Sequence, residues 1–365
     1  MTEKERLYTH WLSFHAGTTY SNKQDLLKQG LTPEEIFHMS KEQIASCIPK
    51  KYIEKFEASR DFEKTKREID WVERNQGWNV YWTQPEYPKR LKEIYHYPLG
   101  LFGMGKMPKE DSLTIAMVGA RDATPYGKEA SEYFAEKLAS AGVQIVSGLA
   151  RGIDGYSHNA ALRSGYTLGV LGCGIDIEYP RSNGYLYEQM REKGGIISEF
   201  PIGTQPMPAN FPQRNRVISG ISHGVFVIEA RERSGSLITA DYALEQGRDV
   251  FALAGRFYDE MSIGAMELIQ KGAKLVYKPE NILEEYSIYH QNTLKFGKED
   301  KISLAKNEKL VYDCLRLEPK HVNKISTETN LPISDVLSIL MIMEWKGYVM
   351  EAGRHCYRIK KGRGV

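Results

Sequence analysis

The sequence predicts an α/β protein: a mostly parallel sheet, preceded by a helical region and followed by a small helix-and-hairpin module. Three observations lead there. Apolar, β-branched runs recur through the middle of the chain, stretches with helical spacing separate them, and proline-rich or polar segments set this middle apart from both ends. With 365 residues, 41% hydrophobic and 26% charged, the chain can build a sizeable core and two or three domains.

Residues 1–75 read as a compact helical bundle. Thr32-Pro33-Glu34-Glu35 combines an N-cap threonine, a proline at the first helical position and a capping-box glutamate, and Ser40 with Gln43 repeats the box. Residues 76–110 form a connector marked by Pro85, Pro88, Pro98 and Pro108. Its aromatics (Tyr81, Trp82, Tyr87, Tyr95, Tyr97, Phe102) are expected to pack it onto the core rather than to bind a ligand. Residues 111–286 carry the strand candidates Thr114–Gly119, Val143–Ser147, Thr167–Leu171, Gly195–Glu199, Gly224–Glu229, Asp249–Leu253 and Lys274–Tyr277. Continuous apolar runs of this kind are buried on both faces, as in parallel sheets. Between the first two runs, Ala130, Tyr133, Phe134, Leu138 and Ala141 fall on one helical face. Alternation of this sort implies right-handed crossovers and an extended Rossmann-like domain, whose ligands collect beyond the carboxyl ends of the strands. Residues 287–303 read as a polar linker. In 304–365, helices at Leu304–Leu317, Val322–Thr329 and Ile333–Lys346 precede a hairpin turning at Ala352-Gly353, the order of a winged helix-turn-helix. Its third helix carries one lysine, one aspartate and one glutamate, so a protein-docking or structural role fits at least as well as reading duplex DNA.

No run approaches ~18 apolar residues, so no membrane span is expected. The opening residues lead into no apolar stretch of signal-peptide type. Four scattered cysteines (Cys47, Cys173, Cys314, Cys356) argue against a disulfide framework or a cysteine-rich zinc site, and a reducing cytoplasm is the expected compartment. Net charge is +2, unevenly spread. Residues 1–112 hold 18 basic and 17 acidic residues, residues 113–300 hold 19 and 23, and residues 301–365 hold 12 and 7.

Four loops of the central domain carry unusual residues where strands end. The first runs from Gly119 through Arg121 to Thr124 and Gly127, between strand and helix, where amides and the helix dipole favour phosphate. The second contains Ser147, Gly148, Arg151, Gly152, Asp154 and His158; capping and packing explain Asp154 and His158 better than acid–base catalysis, since no nucleophile or metal-ligand set accompanies them. The third is Phe211-Pro212-Gln213-Arg214-Asn215-Arg216. An aromatic beside paired arginines offers charge for a nucleic-acid backbone and a face for a base; a packed phenylalanine and two ion-paired arginines are the alternative. The fourth, Arg231 to Ser236, places Ser234-Gly235-Ser236 as an anion nest at a helix start. Asn215 and Glu199 are expected to brace these loops. Residues 113–260 hold eleven arginines and three lysines, six of those arginines lie in the four loops, and arginine is favoured where planar oxygen recognition matters.

Six motifs follow one another in order: Gly119-Ala120-Arg121 with Tyr126-Gly127; Ser147 to Gly155; Leu171-Gly172-Cys173-Gly174-Ile175-Asp176 with Tyr179-Pro180 and Asn183; Ser198-Glu199-Phe200-Pro201; Phe211 to Arg216; and Glu229-Ala230 with Ser234 to Ala240. Over about residues 90–280 the chain resembles the DNA-processing protein A (DprA/Smf) family. Its first region resembles that family's sterile-alpha-motif-like (SAM-like) domain and its tail the winged-helix domain. The resemblance implies a non-catalytic, cofactor-free, metal-free cytoplasmic protein. It would bind single-stranded DNA, protect incoming strands in natural transformation, load the RecA recombinase and form a homodimer through the Rossmann-like domain. It also implies that Arg181, after Tyr179-Pro180, binds the DNA backbone. The DNA-binding residues expected are therefore Gly119, Arg121, Ser147, Gly148, Arg151, Arg181, Phe211, Arg214, Asn215, Arg216, Ser234, Gly235 and Ser236. Where the family has Gly-Ser-Arg this chain has Gly119-Ala120-Arg121, so a hydroxyl is missing, and Thr124 is the candidate replacement. Changing Arg121 and Arg214 together to glutamate is expected to abolish binding and leave the fold intact.

Two other functions compete. Nucleoside-monophosphate phosphoribohydrolases share this fold type, but they carry Pro-Gly-Gly-x-Gly-Thr-x-x-Glu where this chain has Ser234-Gly235-Ser236-Leu237-Ile238-Thr239-Ala240-Asp241. A duplex-DNA regulator acting through the winged helix ranks last, because the third helix is poor in donors.

Overall fold

The computed structural model describes residues 1–286, 306–316 and 318–359. The chain divides into two units, Met1–Tyr289 and His290–Val365. The expected linker, 287–303, lies outside the described residues, as do Leu304, Ala305 and Leu317 of the helix expected over 304–317.

The first unit opens with six helices: α1 (Glu3–Phe14), α2 (Tyr20–Lys28), α3 (Pro33–His38), α4 (Lys41–Cys47), α5 (Ile53–Ala58) and α6 (Phe62–Arg74). Both capping boxes form, at Thr32/Glu35 and Ser40/Gln43. Trp11, Leu12, Leu26, Ile36, Ile44 and Phe56 close a local core. A second tie is polar: Glu68 Oε2 accepts from His10 Nε2 at 3.0 Å and from His15 Nε2 at 2.8 Å, joining α1 to α6.

Beyond α6 the chain builds one nine-stranded sheet. Its strands are β1 (Trp78–Tyr81), β2 (Gly100–Gly105), β3 (Thr114–Val118), β4 (Gln144–Ser147), β5 (Thr167–Leu171), β6 (Gly195–Ser198), β7 (Gly224–Val227), β8 (Asp249–Leu253) and β9 (Lys274–Val276). The spatial order is β1-β2-β6-β5-β4-β3-β7-β8-β9. From β6 to β9 every neighbouring pair is parallel. All seven strands expected from sequence are present. The connector does more than expected: it supplies α7 (Lys89–Lys92) and two strands, β2 antiparallel to β6 and β1 antiparallel to β2. Its aromatics Tyr81, Tyr87 and Phe102 are buried, whereas Tyr95 is exposed.

The crossover helices are α8 (Pro125–Ser140), α9 (Ile153–Ala161), α10 (Gly184–Lys193), α11 (Asn210–Ile221), α12 (Gly235–Glu245) and α13 (Glu260–Gln270), with α14 (Glu280–Glu285) after β9. On α8, Ala130, Phe134 and Leu138 are buried and Tyr133 and Ala141 pack at the margin, as their spacing requires. Strand order reverses direction at β3, between β4 and β7, so the loops after β3, β4, β5 and β7 converge at one end of the sheet, where ligands of such folds collect.

The second unit holds α15 (Lys306–Cys314), α16 (Val322–Thr329) and α17 (Ile333–Trp345) with β10 (Lys320–His321), β11 (Val349–Glu351) and β12 (Cys356–Ile359) in the antiparallel order β10-β12-β11. Val311, Ile325, Val336, Leu340 and Tyr357 form its core. Lys346, just past α17, pairs with Glu308 at 2.7 Å. The exposed side of α17 shows Ile333, Met341 and Ile342 rather than cations. No helix among the described residues is long and apolar enough to cross a membrane.

Candidate functional site

Gly119, Arg121, Asp154, Phe211, Arg214, Asn215, Ser234, Gly235 and Ser236 line one cavity of about 510 Å³ at the carboxyl ends of the parallel strands, together with Tyr179, Pro206, Pro208 and Thr239. Its centre is Phe211, in the first turn of α11 and half-buried. The Arg121 and Arg214 guanidinium carbons lie 5.5 and 5.8 Å from its ring centroid, and the Tyr179 ring lies 5.6 Å away at 41°.

The loop after β3 is held from behind by Glu229. Thr124 donates its N–H at 2.9 Å and its hydroxyl to the Glu229 carboxylate, and Ala120 N–H donates to the Glu229 carbonyl at 2.8 Å. Thr124 therefore does not replace the missing family hydroxyl: its Oγ is bound to Glu229 and caps α8 through Gly127 N–H. The amides of Arg121, Asp122 and Ala123 make no hydrogen bond among the described residues. They are the donors this loop offers. Gly152 closes the next loop against it with φ of +77°, and a side chain there would collide with the carbonyls of Ala120 and Arg121.

Four of the expected residues are engaged inside the protein. Ser147 is fully buried and donates to Met117 O at 2.6 Å, so its hydroxyl is engaged inside the sheet. Gly148 gives its N–H to Asp154 Oδ2 at 3.2 Å and its carbonyl to Arg214 Nη1 at 2.8 Å. Arg214 is 4% exposed; it touches the cavity wall but chiefly clamps the ends of β4 and β5 through the Gly148 and Val170 carbonyls. Arg216 is 7% exposed and reaches the opposite way, pairing with Glu199 and lying 5.0 Å over the Tyr20 ring of α2. Two residues along a helix turn the side chain by ~200°, so these arginines cannot share a face. Tyr20 donates to the same Glu199 carboxylate at 2.6 Å, which makes Glu199 and Arg216 the joint between the helical region and the sheet. The fold-neutral outcome expected for Arg121 and Arg214 both changed to glutamate does not survive, because a glutamate at 214 would stand against buried Asp154.

Electrostatics explain the clamp. Burial raises the Asp154 carboxyl above its usual range and lowers the Arg214 guanidinium, and each opposes the other's shift. Asp154 also accepts from Ala150 N–H at 3.4 Å, so it fixes the loop before α9 rather than capping that helix. His158 is no partner for it: its Nδ1 lies 2.7 Å from Thr167 Oγ1, and burial pushes its pKa down to about 3.

Arg151 belongs to a second cavity of about 340 Å³, lined also by Arg121, Asp122, Tyr156, Ser182 and Tyr185. Arg151 pairs with Asp122 at 3.6 Å across exposed surface. Arg181 is exposed beside Ser182 and makes no ion pair among the described residues. Arg121 thus lines both cavities. On the far side, Ser234 caps α12 and its Oγ lies 2.8 Å from Ser236 Oγ, Gly235 is open to solvent, and Asn215 Nδ2 donates to Gly235 O at 3.3 Å.

Sequence reasoning missed Tyr179 and Asn183 as parts of the site. Asn183 Nδ2 donates to the carbonyls of Leu149 and Ala150 at 3.0 and 2.9 Å, holding the second loop in place. Both stood within the quoted Tyr179-Pro180…Asn183 motif, which was the available signal. For metals, the described residues bring three potential ligands together at His10, His15 and Glu68, on α1 and α6 rather than on these loops.

Residues 78–287 match the family model described as DNA recombination-mediator protein A. The chain belongs to the DprA/Smf family. It is 40% identical to Protein Smf of Escherichia coli over 272 residues, covering 72% of each chain. It is 41% identical to DNA processing protein DprA of Bacillus subtilis over 258 residues, 70% of this chain and 85% of that one. Among solved structures, DprA from Streptococcus pneumoniae superposes with a TM-score of 0.68 at 33% identity, covering 78% of this chain and 98% of that one. A Helicobacter pylori DNA processing protein A, whose structure is described as giving insight into its single-stranded DNA binding mode, superposes with a TM-score of 0.53 at 28% identity over 58% of this chain and 96% of that one. The DprA/Smf match covers the whole sheet from β1 and every residue of both cavities.

Proposed function

We propose that this chain is a recombination mediator that binds single-stranded DNA in the two adjoining cavities and breaks no bond there. The observation that carries the reading is the convergence of Arg121, half-buried Phe211 and the Ser234–Ser236 helix start on one cavity. Cation, π-face and amide donors are what an unpaired strand needs from a protein indifferent to sequence. Arg121, Arg151 and Arg181 take phosphates, Phe211 offers its ring to a base, and Arg214, Asn215 and Gly148 keep the wall in shape. Relatives named for DNA processing, and the Helicobacter pylori protein's single-stranded DNA binding, support this reading. The compartment is the cytoplasm. The larger role is protection of incoming strands and loading of RecA during natural transformation, by a homodimer formed through the sheet domain. Edge strand β9, with Leu275 exposed on it and Tyr277 exposed just after it, offers unpaired backbone for such a contact. The second unit we read as a winged helix.

A phosphoribohydrolase needs a carboxylate free to act at the ribose. Asp154 is the one carboxylate lining the Phe211 cavity among the described residues, and it is bound to Gly148 and Ala150 in the field of the Arg214 charge; Asp122, on the second cavity, pairs with Arg151 at 3.6 Å. Asp241 lies instead on the cavity between α12 and α13.

Fluorescence anisotropy with single- and double-stranded oligonucleotides of equal length, across a salt series, tests the proposal. Preferential binding of the single strand is expected, with log K falling by about 0.7 per phosphate neutralised for each decade of salt. Equal affinity for duplex, or release of free base from a nucleoside monophosphate, would refute it.

A further inference from the structure

The loop after β8 carries two strongly exposed aromatics that stand side by side. Phe257 is 84% and Tyr258 67% exposed, and their rings meet edge to face at 5.1 Å. Two bare aromatic rings on the surface cost solvation unless something covers them. Neither ring lines the cavity around Phe211.

Sheet order fixes what lies beside them. β3, β7 and β8 are consecutive neighbours, so the loops leaving their carboxyl ends are neighbours too. Those loops carry Arg121, then Arg231 to Ser236, then Arg256 to Tyr258. Hydrogen bonds tie the second of these loops to the first turns of α13, the helix that follows the third: Ala230 N–H donates to Met261 O and Gly264 N–H to Ala230 O, both at 2.8 Å, and Arg231 Nε donates to Met261 Sδ at 3.1 Å. On the other flank, Tyr126 donates to Ala254 O at 3.1 Å.

The arginines of this stretch keep their charge available. Arg231, Arg233 and Arg256 are all exposed, and none makes an ion pair among the described residues. The acids nearby, Glu232, Asp259 and Glu260, weaken the field without reaching an arginine at ion-pair distance. Asp259 is engaged in capping α13 through Met261 N–H at 3.0 Å. Arg256 precedes Phe257 in the chain, Arg231 holds Met261 Sδ through its Nε and Arg233 lines the cavity between α12 and α13; guanidinium charge next to open aromatic rings is the combination that holds an unpaired nucleotide strand.

We infer that Phe257, Tyr258 and Arg256 form a second stacking platform, with Arg231 and Arg233 of the neighbouring loop adding charge along the way, that takes the nucleotides of a single strand after it leaves the Phe211 cavity. The inference rests on the proposed reading of that cavity and extends it along the β3–β7–β8 edge. A strand seated at Arg121 and the Ser234 helix start passes on to the β8 loop, so long strands gain contacts that short ones lack.

The test uses the full chain and oligothymidylates of about six and about twenty nucleotides, one near the short end and one beyond the long end of common single-strand site sizes. Wild type should bind the longer strand at least about 10-fold more tightly, the gain from one or two stacked bases. Changing Phe257 and Tyr258 together to alanine should remove that gain and leave short-strand affinity unchanged. A Phe257→Trp variant should show indole fluorescence quenched by the long strand and not by the short one. The platform is overturned if the double variant keeps the long-strand gain, if the fluorescence of the Phe257→Trp variant ignores the long strand, or if both lengths weaken equally. It is also overturned if sedimentation velocity shows the double variant changing oligomeric state, since the rings would then belong to an interface between copies. Loss of short-strand binding by wild type itself would strike the cavity reading instead, and is read separately.

Discussion

Arg214 and Arg216 show how two neighbouring residues of one motif divide between tasks. Arg214 ties two strand ends and sets its charge near buried Asp154, whose ionised form it favours; Arg216 pairs with buried Glu199 under the helical region. Removing one partner of a buried pair such as Arg216–Glu199 strands the other charge, which costs about 3–5 kcal/mol; loss of Arg214 instead leaves two strand-end carbonyls without their donor and Asp154 without the nearby charge. Arg214→Met should lower the urea midpoint, and adding Asp154→Asn should recover the part of the loss that comes from the uncompensated Asp154 charge. Arg121→Glu, at an exposed position, should leave the urea midpoint nearly unchanged while weakening single-strand binding more than any single lysine change on the surface. Phe211→Ala should cost about 1–3 kcal/mol of binding if its ring stacks a base, measured by anisotropy beside a melting curve. Residue types were legible in sequence at all four loops. Their facing was not: whether an arginine meets solvent or a carboxylate depends on partners such as Asp154 and Glu199, which a linear pattern does not place.

At the scale of elements, the seven parallel strands could be read because each is a short apolar run bounded by turn residues. The β1–β2 pair could not. β2 reads Gly100-Leu101-Phe102-Gly103-Met104-Gly105, and three glycines in six residues remove the strand signal. Those glycines answer to packing: a side chain at Gly103 would overlap the Trp78 ring lying across it from β1. Gly103→Ala should therefore destabilise the sheet edge despite the better strand propensity of alanine, and hydrogen exchange should show the loss concentrated in β1 and β2. The loop after β3 makes a parallel case. Glu229→Ala leaves the Thr124 N–H and hydroxyl without their acceptor, which should cost about 1–3 kcal/mol and speed hydrogen exchange across residues 119–124.

For the molecule as a whole, two buried histidines, His10 and His158, and half-buried His223 shape the response to acid. Burial is the main cause at each: it pushes His158 down to about 3 and His223, beside Arg90, to about 4, and lowers His10 although Glu68 opposes the shift. An unfolded chain protonates these rings near their ordinary value of 6.5, while the folded chain does not. The unfolded state then binds more protons, so stability rises with pH across this window and falls as pH drops from 6.5 toward 4. Urea midpoints at pH 7.5, 6 and 5 should decrease in that order, and a flat profile would show that the rings are hydrated in solution. The Tyr20–Glu199–Arg216 joint adds a second molecular property. Because its charges are buried where α2 meets the sheet, Glu199→Gln should loosen the helical region, seen as faster exchange in α2 at little change in α8.

Arg121 stands on the wall shared by two cavities, about 510 and about 340 Å³ in volume. A polymer occupying both must straddle that one guanidinium, so the residue acts as a watershed rather than as one grip among many. Its loss should shrink the footprint: each basin would still hold a fragment, but the length of DNA shielded from nuclease by one protein chain would shorten at that point.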